Sequence, residues 1–107
     1  MTKQSEGEIQ LQICKWLDSQ NVFFWRFRYM SKFPIKFLPR GLPDIMILHK
    51  GIFIGLEVKV PDYWKHTDKQ KNMGEAIKKN GGYYYVVTSL GETMEVLVNH
   101  APELRVV

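Results

Sequence analysis

One cysteine, Cys14, occurs in 107 residues, which excludes an internal disulfide framework and a zinc site built on thiolates. Histidine is scarce too, and His49, His66 and His100 are too scattered for metal-ligand spacing. No apolar run approaches the roughly 18 residues of a membrane-spanning helix. The polar start, Met1 to Glu8, lacks the apolar stretch of a secretory signal. These absences lead to the expectation of a soluble, cytoplasmic protein with no membrane partner and no small-molecule cofactor. Acidic residues are in the minority, 11 against 15 Lys and Arg, for a net charge of +4. That balance favours a polyanionic partner, although it also suits plain solubility.

What is present is ordinary globular composition, 45% apolar and 24% charged, in one domain over residues 1–107 with no repeat or linker. The spacing predicts a helix over 5–18, with Ile9, Ile13, Trp16 and Leu17 on one stripe. Ser5 and Glu8 have the form of a capping box. The β-branched and aromatic run Val22 to Arg28 predicts a strand, and a loop with Pro34, Pro39 and Gly41 follows over 29–42. Asp44–Leu48 and Ile52–Val60 predict a hairpin about His49-Lys50-Gly51. A helix over 67–79, a strand over 83–88 and a last helix over 91–99 complete the chain. The order αβββαβ plus a C-terminal helix implies an α/β fold, a mixed central sheet flanked by helices. Its last two strands are parallel through a right-handed crossover.

Alternation in the strand over 52–60 puts Phe53, Gly55, Glu57 and Lys59 on one face, with Gly55 expected to leave open space. Asp44 opens the preceding strand across the hairpin. Two carboxylates about 4 Å apart at an effective dielectric near 20 repel by about 4 kcal/mol. A hard dication such as Mg²⁺ would neutralise them, with the Val58 carbonyl as a further oxygen. Lys59 would then stand beside a metal-activated water, an arrangement suited to phosphodiester hydrolysis. The plain alternative is an exposed Glu57–Lys59 ion pair worth under about 1 kcal/mol.

Gly41-Leu42-Pro43-Asp44, then Glu57-Val58-Lys59, then Gln70 in a helix beginning Thr67-Asp68-Lys69-Gln70, resembles the PD-(D/E)XK nuclease superfamily. More narrowly it resembles the virus-type replication-repair nuclease (VRR-NUC) family, its small stand-alone phage members above all. With the glutamate-bearing first helix and Trp25-Arg26, the resemblance covers most of the chain. It implies a restriction-endonuclease-like core and a structure-selective DNA endonuclease using Mg²⁺ or Mn²⁺. It further implies metal ligation by Asp44 and Glu57, catalysis by Lys59, and a supporting polar role for Gln70. The family's first-helix acid falls on Glu6 or Glu8. At about 100° per residue Glu6 lies on the apolar stripe and Glu8 opposite it, which selects Glu6 as an inward-facing acid.

Arg26, Lys32, Lys36, Arg40, Lys65 and Lys69 are the expected phosphate contacts, with Arg28, His66 and Lys71 nearby. Tyr63 and Trp64 are candidates to stack on an unpaired base or to plug the sheet edge. The greasy loop Tyr29, Met30, Phe33, Ile35, Phe37, Leu38 predicts either a homodimer interface or packing over the chain's own core. The resulting expectation is a Mg²⁺-dependent endonuclease for branched DNA, of the Holliday junction resolvase or flap-cutting kind. The alternatives are a non-catalytic nucleic-acid-binding module on the same fold and a sequence-specific restriction-type nuclease.

Overall fold

A computed structural model describes residues 4–28, 35–62 and 65–104. Ser5 caps the first helix, α1 (Glu6–Ser19), accepting from the Glu8 N–H while the Glu8 carboxylate accepts from the Ser5 N–H. This reciprocal bonding satisfies donors that a helix start leaves open. The chain continues into β1 (Phe24–Arg26), β2 (Ile45–His49) and β3 (Ile52–Val58). It then forms α2 (Asp68–Lys79), β4 (Tyr83–Val87) and α3 (Leu90–Val98). Thr67 and Gln70 form the capping box of α2, and Ser89 caps α3.

The sheet runs β1-β2-β3-β4, with the first two pairings antiparallel and β3 parallel to β4. Lys50 and Gly51 both have positive φ, 49° and 84°, as a two-residue hairpin with right-handed strand twist requires. α2 is the crossover between the parallel strands. The expected order and pairing are therefore those observed.

One face of the sheet carries Ile45, Ile47, Ile54, Leu56, Val58 and Val87 against Ile9, Ile13 and Leu17 of α1 and Met94 and Leu97 of α3. Each side chain so buried contributes about 1.5–3 kcal/mol. The opposite face is covered by α2 over β3 and β4, and there clearance is minimal. A Cβ on Gly74 would come within 2.7 Å of the Tyr84 ring. Gly55, expected to leave a space, instead admits neighbours: a Cβ there would meet Pro43 Cγ at 2.7 Å and Ile77 Cδ1 at 3.3 Å. The room beside Glu57 is thus filled by the Pro43 turn and α2. Among the described residues no helix is long and apolar enough to cross a membrane.

Candidate active site

Asp44 is fixed from two sides. Its carbonyl accepts from the Phe27 N–H at 2.9 Å, and its Oδ2 accepts from the Val58 N–H at 2.7 Å. The paired register ends at Ile45↔Leu56, and carried two residues further it would set Asp44 opposite Glu57 and Pro43 opposite Val58. Pro43 has no N–H, so it cannot donate the ladder hydrogen bond to the Val58 carbonyl. Gly41 sets the approach to Asp44. Its φ is +77°, and a Cβ there would lie 2.4 Å from the Lys69 carbonyl oxygen. Only glycine lets this turn pass so close to the start of α2.

Glu57 is 3% exposed. Its Oε1 accepts from Gln70 Nε2 at 2.7 Å and lies 3.8 Å from the Lys59 ammonium. Its Oε2 is buried with no hydrogen-bond partner among the described residues. Asp44, itself a carboxylate, meets Glu57 through a hydrogen bond only when one of the two holds a proton. Burial drives the Glu57 carboxyl up to about 8, with the Asp44 charge adding to the rise, Lys59 opposing it, and Glu6 adding more weakly. Burial also raises Asp44, against the lowering effect of the Val58 N–H, Glu57, Lys59 and Arg26. Two buried acids that hold protons unusually tightly, one with an unpartnered oxygen, suit a hard cation with oxygen ligands.

Gln70 serves two ends. Its Oε1 accepts from the Thr67 N–H at 3.0 Å, closing the α2 cap, while its Nε2 holds Glu57. The helix start and the buried carboxylate are thereby one construction. Behind it, the Tyr84 hydroxyl contacts His66 Nε2 at 2.9 Å. The Tyr84 hydroxyl is pushed up by burial and by the Glu57 and Asp44 charges.

The first-helix expectation needs correction. Glu6 is exposed rather than buried, at the first residue of α1 and three residues before the first buried one, Ile9. Glu8 is exposed as well, and its carboxylate closes the cap. Among the described residues no group of three or more His, Cys, Asp or Glu side chains converges on a metal position. Glu6 influences Glu57 through its charge alone. The inward polar residue of that face is Gln10, one turn on and 8% exposed. Its Oε1 accepts from Arg26 Nε at 2.8 Å. Sequence reasoning missed Gln10, although an amide inside an apolar stripe is itself a signal of a buried partner.

The basic residues divide. Arg40 and Lys69 line a groove with Phe27, Pro39, Gly41, Leu42 and Asp44. Arg26 stands near enough to lower Asp44. Lys36 lies over its neighbour Phe37, 5.1 Å from the ring centroid, and Lys65 is exposed ahead of α2. Lys32, Tyr63, Trp64, Tyr29, Met30 and Phe33 lie outside the described residues. In the rest of that loop Ile35 and Phe37 are exposed, Phe37 by 92%, and Leu38 is half-buried.

No protein-family model matches the sequence, and no curated protein does. Solved structures do match. One, described as a VRR_NUC domain protein, is 19% identical with a TM-score of 0.78, over 95% of this chain and 92% of that one. Another, described as a VRR_NUC domain, is 20% identical with a TM-score of 0.66, over 91% of this chain and 98% of that one. The chain therefore has the fold of these structures described as VRR_NUC domains, a mixed-sheet α/β core.

Proposed function

We propose that this chain is a divalent-metal-dependent DNA endonuclease acting on branched DNA, such as a four-way junction or a flap. The observation that carries the reading is the buried Glu57 carboxylate, one oxygen unpartnered, beside Asp44 and within 3.8 Å of Lys59. Asp44, the Glu57 Oε2 and the Val58 carbonyl are the groups to hold Mg²⁺ or Mn²⁺. Such an ion would supply Lewis-acid activation of water and neutralise charge on the scissile phosphate.

The remaining work falls to the chain's own groups. The Val58 N–H and Gln70 Nε2 each occupy one oxygen of an acid, and so fix the direction of the other. Lys59, only 12% exposed in its side chain, keeps an ammonium where negative charge grows on the phosphate. Arg26, oriented by Gln10, and Arg40 and Lys69 across the groove hold flanking phosphates. Contacts of this kind do not read bases, which supports selection by DNA structure rather than sequence. Glu6 adds an acid at the rim. Exposed Ile35 and Phe37 support pairing of two copies through their loop.

The deciding experiment is incubation of the protein with a four-way junction and a flap substrate, in Mg²⁺ and in EDTA. Cutting in Mg²⁺ alone is expected, lost in Asp44→Ala and Lys59→Ala while DNA binding persists. Binding without cutting under every metal condition would replace the nuclease by a non-catalytic module. Discrete cuts in linear duplex would indicate a restriction-type enzyme.

A further inference from the structure

Phe23, just ahead of β1, and Trp25 within it present two exposed aromatic rings on the face of the sheet that carries Glu57. Phe23 is 64% and Trp25 40% exposed, with ring centroids 5.9 Å apart. The pairings Trp25↔Met46 and Met46↔Gly55 set Trp25 on the side of Gly55 and Glu57. Asp44 is the diagonal neighbour of Trp25, a relation that spans about 7–8 Å in a sheet. Phe27 continues the same alternation, bonds through its N–H to the Asp44 carbonyl, and lines the Asp44 groove. Phe23, Trp25 and Phe27 thus form a row that runs into the candidate active site, where Arg40 and Lys69 supply positive charge. α2 covers β3 and β4 but leaves the outer part of this face, including the 41% exposed Leu48, to solvent.

We infer that this row is a stacking track for the unpaired nucleotides of a DNA strand leaving a branch point. Aromatic faces bind every base, and cations beside them follow the phosphates. A second copy of the chain is the poorer occupant. Arg40 and Lys69 at the end of the row add positive charge that a nucleic acid strand complements with its phosphates. The inference rests on the proposed nuclease reading for its position but not for its test, because stacking needs no metal.

The test compares a forked DNA with unpaired thymidine arms and a fully paired duplex of equal length, both in EDTA. Affinities are measured for the wild-type chain, Trp25→Leu and Phe23→Leu/Trp25→Leu. Leucine keeps apolar bulk at an exposed position, so the fold is retained, and circular dichroism checks it. The expected result is a fall of about tenfold in the fork-to-duplex affinity ratio for Trp25→Leu, and a larger fall for the double variant. An unchanged ratio overturns the track. So does an equal loss on both DNAs, or a change in sedimentation that marks the face as a contact between copies. A parallel incubation of the wild type with Mg²⁺ separates the two readings. A lowered ratio with no cutting anywhere removes the nuclease and keeps the track, while cutting with an unmoved ratio does the reverse.

Discussion

Replacing Glu57 by glutamine should make the metal-free protein more stable while destroying its activity. In the wild type the Asp44 and Glu57 charges repel, by about 4 kcal/mol at 4 Å and an effective dielectric near 20. The Lys59 ammonium, 3.8 Å from Oε1, offsets a comparable amount. What remains is a buried oxygen with no donor, a cost of about 1–3 kcal/mol. In Glu57→Gln the side-chain carbonyl still accepts from Gln70, and the new amide can donate to Asp44. The gain is therefore about 1–3 kcal/mol, which in a domain near this size is at least about 4 °C in Tm. The pH dependence is the diagnostic part. Glu57 binds its proton more tightly folded than unfolded, up to about 8 against a usual 4.5. Its contribution to stability is full below about pH 4.5 and is lost as pH climbs through about 8. Thermal unfolding in EDTA should show the variant ahead at pH 8.5 and level with wild type at pH 4.5. A variant no more stable at pH 8.5, or equally ahead at both, would refute the account of the buried pair. Mg²⁺ should raise the wild-type Tm at pH 8.5 and leave that of the variant nearly unmoved.

Gln70→Ala removes both the α2 cap and the Glu57 hydrogen bond. It should cost about 1 kcal/mol of stability and about 10- to 100-fold in cutting rate, read by denaturant titration and single-turnover cleavage. Gly41→Ala faces a positive φ and the Lys69 carbonyl at 2.4 Å, so it should destabilise by about 1–3 kcal/mol; a wild-type denaturation midpoint would contradict the turn geometry. Arg26→Ala should lower DNA affinity and reduce the salt dependence of binding by about one charge. Gln10→Leu should reproduce part of that loss, since it frees Arg26 from its anchor, and binding titrations over a salt series test both.

Much of the fold is legible because its signals are local. The caps at Ser5, Thr67 and Ser89, the Lys50-Gly51 turn and the apolar stripe of Ile9, Ile13 and Leu17 each act within a few residues. Alternation placed Glu57 and Lys59 together, and the resemblance marked Gln70. Burial at a helix end was misjudged, because periodicity gives an angle about the axis but not how far the packing partner extends along it. Glu6 therefore has the right direction and still reaches solvent.

Sequence order alone determined the αβββαβα succession, the hairpin and the acid–lysine strand, since those follow from period, turn chemistry and connection length. Only the tertiary structure decided which oxygens are already occupied: Val58 on Asp44, Gln70 on Glu57, and nothing on Oε2. It also decided that Gln10 holds Arg26, that Gly55 makes way for Pro43 and Ile77, and that Phe23 and Trp25 stay exposed. Those outcomes depend on groups brought together from distant points of the chain, and no local rule encodes a distance between them.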